Sequence, residues 1–179
     1  MEEDIELINQ FLDGNKSVFN DILKKYKPYV FTLCISLLKN REDSEEVFQD
    51  VFVKVYFSIE KFRFKSTLKT WLYKITYNSC IEKLRKDKRE IILDYEIVDI
   101  KDDYSNGFET DNTKIFLRLK KCLSELKPIE SMVLTLFYMD GLTINEISEI
   151  TSLKYPTIKT ILFRGRNNLR KKLNSKING

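Results

Sequence analysis

Apolar residues recur at helical spacing along most of the chain, and the breaks between them divide it into elements. Residues 4–13 place Ile5, Ile8, Phe11 and Leu12 on one helical face, and Gly14 ends that helix. Asn15 or Ser17 opens a second helix, with Val18, Phe19, Ile22, Leu23 and Tyr26 in period. Pro28 predicts a break or kink, after which Val30, Phe31, Cys34, Leu37 and Leu38 resume the pattern. Asn40 and Arg41 read as a loop, and Asp43 as the N-cap of a third helix. That helix is apolar around most of its circumference (Val47, Phe48, Val51, Phe52, Val55, Ile59, Phe62), with a polar stripe of Glu45, Glu46, Gln49, Asp50 and Lys54. Such a helix is central to a bundle or also meets a partner. A short loop, FRFKST, leads into a long helix with Leu68, Trp71, Leu72 and Ile75 inward. Periodicity fails over 91–113 and resumes near Thr113 with Ile115, Phe116, Leu119, Cys122 and Leu123. Leu126-Lys127-Pro128 marks a boundary, and Ile129 to Met139 predicts a helix closed by Asp140-Gly141. The fold class predicted is all-α: two small helical domains, 1–87 and 114–175, joined by an acidic flexible linker, 88–113.

The last segment, Leu142 to Leu173, carries the most local information. Thr143 and Glu146 form a capping box that starts a helix bearing Ile144, Ile147 and Ile150. Ser152, Leu153 and Lys154 make a turn, and Pro156 falls in the first turn of the next helix. On that helix Ile158, Ile161, Leu162, Gly165, Leu169 and Leu173 share one face. Lys159, Thr160, Phe163, Arg164, Asn167, Arg170 and Lys171 share the other. This is the layout of a helix-turn-helix whose second helix enters a DNA major groove.

Charge sharpens this picture. The net charge of +4 over 179 residues conceals strong segregation. Residues 61–90 hold ten basic against three acidic side chains, and 91–113 one against seven. Residues 150–179 hold eight basic and no acidic side chains, whereas an ordinary solvated helix mixes both signs. Two basic blocks flanking an acidic one predict two places where phosphate is met. In the first block Lys65, Lys69, Lys74, Lys83, Arg85, Lys86, Lys88 and Arg89 are interleaved with Phe62, Phe64, Trp71, Tyr73 and Tyr77. Cations for phosphate and rings for bases are what an unpaired strand requires. In the second block, Lys159, Thr160, Phe163 and Arg164 are the base-edge candidates, and Arg166, Arg170 and Lys171 the phosphate contacts.

Catalytic chemistry is not indicated. There is no histidine, no phosphate-binding glycine loop and no metal-ligand cluster, so neither metal nor cofactor is expected. Cys34, Cys80 and Cys122 lie among apolar residues and read as small core residues of a reducing compartment. The first residues, MEEDIELINQ, lack the basic start and apolar run of a signal peptide, and no stretch approaches membrane-spanning length. A cytoplasmic location and no direct membrane insertion are expected.

Taken together these motifs resemble a bacterial RNA polymerase sigma factor of the extracytoplasmic-function (ECF) type, over nearly all of the chain outside 91–113. Asp43-Ser-Glu-Glu followed by Gln49-Asp50-Val51-Phe52-Val53-Lys54 is similar to the block that docks on the polymerase clamp. Trp71-Leu72-Tyr73-Lys74-Ile75 with Asn78 and Leu84-Arg85-Lys86 is similar to the block that meets the −10 element. Gly141-Leu142-Thr143, Glu146-Ile147-Ser148, Thr157-Ile158-Lys159-Thr160 and Arg164-Gly-Arg166 resemble the −35-reading domain. The resemblance implies polymerase-binding roles for Glu46, Gln49, Asp50 and Lys54. It implies −10 contacts at Phe62, Phe64, Ser66, Thr67, Asn78, Arg85 and Lys86, with the 62–67 loop forming a pocket for a flipped base. It implies −35 contacts at Thr157, Lys159, Thr160, Phe163, Arg164, Arg166, Arg170 and Lys171. The implied partners are core RNA polymerase, promoter DNA and an anti-sigma factor, often membrane-bound. The sequence departs from the family at Phe64, where a small residue is usual, at Lys154, where Ser is usual, and at Ile161, where Arg is usual. The residues alone also admit a free-standing helix-turn-helix regulator whose N-terminal bundle binds a ligand or dimerises.

Overall fold

A computed structural model describes residues 2–87 and 111–175. The chain forms two compact units, the first built mainly from residues 1–90 and the second from the C-terminal helices. Among the described residues there is no strand, and no helix is long and apolar enough to cross a membrane. Most of the predicted acidic linker, residues 88–110, lies outside the described residues.

The N-terminal unit contains α1 (Glu2–Leu12), α2 (Phe19–Leu38), α3 (Arg41–Ser58) and α4 (Leu68–Lys86), with single 3-10 turns at Lys16–Val18 and Ile59–Lys61. Only half of the predicted face of α1 is covered: Ile8 and Phe11 are buried, while Ile5 and Leu12 stay exposed. Asp4 fastens this helix to α2, accepting from the Lys25 ammonium and the Tyr26 hydroxyl, each at 2.8 Å. Hydrogen bonding to Asp4, then to Glu3, raises the Lys25 pKa. Of the break or kink expected at Pro28, the break does not occur: α2 runs through it for 20 residues. The ring is on the exposed side, where the carbonyl that loses its N–H partner can turn to water.

Asn40, not Asp43, caps α3: its side-chain oxygen accepts from the Asp43 backbone N–H at 3.0 Å. The predicted Asn40–Arg41 loop is therefore a helix start. Asp43 is instead placed beside Lys83 of α4, at 3.5 Å. The core between α2, α3 and α4 is closed by Ile22, Val30, Leu33, Val51, Val55 and Leu72, all nearly inaccessible. Tyr73, grouped above with the nucleic-acid aromatics, is also inside this core at 1% exposure. Cys34, Cys80 and Cys122 are buried free thiols, as the sequence predicts.

Lys39 follows α2 with a left-handed backbone, φ 53°, and is buried to 4% exposure. Desolvation lowers its pKa to about 8. A lysine whose folded pKa lies below its unfolded one destabilises the fold while both states carry the charge. That burden is fully present below pH 8 and is relieved as pH rises toward the unfolded value of 10.5. Lys39→Met should therefore raise the melting temperature of the N-terminal unit at pH 7, and the advantage should shrink between pH 8 and 10. A difference between the two proteins that stays constant across this range would contradict the assignment.

The C-terminal unit contains α5 (Asp111–Ser124), α6 (Pro128–Leu134), α7 (Ile144–Thr151) and α8 (Tyr155–Ser175). The helix reaches Met139 as expected, but its last turn, Thr135–Met139, is π-helical, closed by Asp140 N–H donating to the Thr135 carbonyl at 3.1 Å. Gly141, at φ 70°, then reverses the chain. The long C-terminal helix packs against the α6 segment through Gly165, whose missing side chain gives Leu134 room. Asn168 donates from Nδ2 to both carboxylate oxygens of the buried Glu130, at 3.1 Å each.

Candidate nucleic-acid and partner surfaces

The capping box is formed as the sequence predicts: Thr143 Oγ1 accepts from Glu146 N–H, and Glu146 accepts from Thr143 N–H at 2.8 Å. Ser152 terminates α7 with φ 59°, and Ser148 Oγ donates to the Leu153 carbonyl at 2.6 Å, tightening the turn. The following helix starts at Tyr155, with Pro156 in its first turn. Ile158, Leu162 and Gly165 face inward and Ile161, Leu169 and Leu173 are half-buried. Thr157, Lys159, Thr160, Phe163, Arg164, Arg166, Arg170 and Lys171 are all exposed. One helix therefore presents the whole predicted −35 set to solvent. Phe163 is 60% exposed, a large apolar ring at the centre of a basic surface. Two members also make hydrogen bonds within the chain. Thr160 Oγ1 donates back to the Pro156 carbonyl at 3.0 Å, and Arg166 donates to the Tyr138 hydroxyl at 3.3 Å. The sequence reading missed Tyr155, exposed at the start of this helix with Lys159 5.6 Å over its ring.

In the N-terminal unit the loop before α4 holds an aromatic ladder. Phe64 packs edge-on against Phe62 with centroids 5.0 Å apart, and Phe62 packs against Trp71 at 5.2 Å. Phe62 is buried to 7%, so it supports the ladder from beneath, while Phe64 is 45% exposed. The Phe64 backbone is left-handed, φ 55°, a conformation that costs a bulky L-residue roughly 1–2 kcal/mol. Thr67 is occupied as the N-cap of α4, accepting from Thr70 N–H at 3.1 Å, and Ser66 is half-buried beside it. Asn78 and Arg85 are exposed, seven and fourteen residues beyond Trp71, and so share its helical face.

The basic block around them is partly consumed by internal pairing. Lys83 contacts Glu46 at 2.7 Å, Asp43 at 3.5 Å and Asp87 at 3.9 Å, and hydrogen bonding to Glu46 raises its pKa. Lys86 pairs with Glu82 at 3.4 Å. Lys69 lies 4.3 Å over the Tyr29 ring. Lys88 and Arg89 are outside the described residues.

The predicted polymerase set divides in the same way. Glu46 is engaged by Lys83, and Lys54 donates to Ser79 Oγ at 3.0 Å and Glu82 at 3.1 Å. Both residues therefore tie α3 to α4. Gln49 and Asp50 are exposed on α3, and one and two turns further along lie Val53, 55% exposed, and Phe57, 75% exposed. These two apolar residues were missed in the sequence. A helix apolar all round does not reveal which side is left uncovered.

Among the described residues, an aromatic ladder with Phe64 exposed at its tip, a helix-turn-helix with a basic face and an apolar patch on α3 make up a helical chain whose surfaces suit nucleic acid and a protein partner. A family model of sigma-70 region 2 matches residues 22–90, and one of sigma-70 region 4 matches residues 116–169. The chain is 31% identical over 176 residues to the ECF RNA polymerase sigma factor SigW of Bacillus subtilis, covering 93% of this chain and 94% of that one. It is 28% identical over 180 residues to the ECF RNA polymerase sigma-E factor of Haemophilus influenzae, covering 95% of each. This chain belongs to the ECF family of RNA polymerase sigma factors. Its fold is also similar to that of the Bartonella quintana sigma factor RpoE, solved with the anti-sigma factor NepR: TM-score 0.68, 24% identity, 87% of this chain and 96% of that one. A second structure, CnrH with the cytosolic domain of CnrY, gives a TM-score of 0.63 at 18% identity, over 94% of this chain and 96% of that one.

Proposed function

We propose that this chain binds core RNA polymerase and directs it to specific promoters, acting as an initiation factor without catalysis of its own. Residues 1–87 dock on polymerase and meet the −10 element, residues 114–175 read the −35 element, and residues 88–113 link them. The observation that carries the reading is the exposure, on one recognition helix, of the whole −35 set while its opposite face is buried. On α3 the docking surface is Gln49, Asp50, Val53 and Phe57. Glu46 and Lys54 act mainly by holding that helix to its neighbour. The −10 strand is met by Phe64, Asn78 and Arg85, with Phe62, Ser66 and Thr67 shaping the loop and Lys86 near phosphate. The protein works in the cytoplasm, and an anti-sigma partner is supported by its structural likeness to sigma factors solved with theirs.

Core polymerase supplied with this chain should initiate on a subset of a genomic promoter pool and fail to do so without it. Tight duplex binding by the chain alone, with no initiation from any promoter, would favour a free-standing regulator. Within the same assay, Arg170→Ala should weaken holoenzyme binding on all responsive promoters alike and flatten the logarithmic salt slope by about one. Unequal losses between promoters would show that Arg170 reads bases instead.

A further inference from the structure

Lys159, Phe163, Arg166 and Arg170 stand at helical spacing on α8 and form one exposed stripe along it. Tyr138 borders this stripe from a different element. Its hydroxyl accepts from the Arg166 guanidinium at 3.3 Å, across 28 residues of sequence. The π-helical turn puts it there. Glu130 and Leu134 are buried against α8, and an α-helical continuation would carry Tyr138, four residues on, along the same inward ridge. Asp140 N–H reaches back to Thr135 instead, and the widened turn leaves Tyr138 55% exposed. Single π-turns of this kind gather at functional sites.

The bond itself does little for the fold, because both partners are exposed and would otherwise bond to water. What it fixes is the orientation of two donors. A phenol that accepts from a guanidinium keeps its own O–H to give, and Arg166 keeps further N–H groups. A major groove admits one helix, so a side chain beside the recognition helix on another element meets the strand at the groove's rim, where the phosphates are. A cation and a neutral hydroxyl donating side by side suit the two charged oxygens of a phosphodiester.

We infer that Tyr138 and Arg166 form a clamp for one backbone phosphate of duplex DNA. The inference rests on the promoter-reading function proposed above and adds to it a residue outside the recognition helix. The clamp supplies affinity and register and carries no sequence information.

The test uses holoenzyme reconstituted with the full-length chain, on promoter duplex that the wild-type holoenzyme selects. Neutral methylphosphonate linkages are placed one at a time across the −35 region. Tyr138→Phe should weaken binding by about 2- to 10-fold, the range for one lost hydrogen bond, and by the same factor on every responsive promoter. Its logarithmic salt slope should match wild type, because no charge is removed, whereas Arg166→Ala should flatten the slope by about one. Neutralising one particular phosphate should abolish the difference between wild type and Tyr138→Phe, and the same linkage should remove most of the Arg166→Ala loss. The C-terminal melting transition of Tyr138→Phe should not move. Equal affinity of wild type and Tyr138→Phe on every promoter overturns the proposal. So does a loss that survives at every neutral linkage, one that differs from promoter to promoter, or a lowered melting transition that accounts for it. Failure of the sigma reading is separate: core enzyme with the wild-type chain would then select no promoter, and the same scan on duplex bound by the chain alone would decide the clamp by the same criterion.

Discussion

Replacing Asp50 by Lys and Phe57 by Ala in one chain should weaken binding to core polymerase by about 100-fold or more while leaving both units folded. Phe57 is 75% exposed, and Asp50 is exposed about two helical turns before it. Neither holds the bundle together, so their loss should not register in a thermal scan. Truncating a buried aromatic anchor at a protein interface costs on the order of 2 kcal/mol or more. Reversing a charge that meets a complementary one costs about as much again. At about 1.4 kcal/mol per tenfold, the two together exceed a hundredfold. The measurement is a titration of labelled core enzyme against each chain, with duplex binding by the C-terminal unit as a control that should not move. A double variant that binds core enzyme as wild type does would show that polymerase approaches another face. Glu46 and Lys54 would be poorer probes, because altering either also disturbs α3 against α4.

The second large effect should come from Gly165. A Cβ at this position would stand 3.1 Å from Leu134 Cδ1, 3.2 Å from its Cγ and 3.4 Å from Glu130 Cβ. Gly165→Ala sets two similar terms against each other. Helix propensity favours alanine by about 1 kcal/mol, and Leu134 must give way by a few tenths of an ångström. The net change should lie within about 1 kcal/mol of zero. Gly165→Leu has no such offset, since three further carbons must enter a filled contact. Overpacking of 2–3 kcal/mol would lower the melting temperature of so small a unit by roughly 10–20 °C. Calorimetry should show the C-terminal transition falling and the N-terminal one unchanged, and −35 recognition should fail at temperatures where polymerase docking persists. An unshifted Gly165→Leu transition would mean that α8 does not rest on α6 as closely as described.

The helix-turn-helix was legible because its signals are local. Thr143 and Glu146 are three residues apart, Pro156 marks a helix start by itself, and the Ile158–Leu173 period needs no partner to be seen. The opposite holds on α3. Whether Glu46 is free for a partner depends on Lys83, 37 residues away, and the state of Lys54 on Glu82, 28 away. Pairings of that range are set by how helices pack, which spacing does not encode. Val53 and Phe57 were lost for a related reason, since a helix with apolar residues on every side gives no moment to orient it. At Asn40 the error was smaller. The cap was placed three residues late: Asn40, read as loop, is the N-cap because its side-chain oxygen reaches the Asp43 N–H. The strained backbone of Phe64 was hidden too, although the family's preference for a small residue there pointed to it.

The charge clasp between α3 and α4 has a mechanical consequence. Lys83 and Lys54 join α3 to α4 at two levels, through Glu46 and Glu82. Beneath these pairs the close-packed core of Val51, Val55 and Leu72 resists sliding of one helix past the other. Under the proposed function the N-terminal unit would behave as a wedge: a load taken up on α3 would arrive at the Phe62–Phe64–Trp71 ladder.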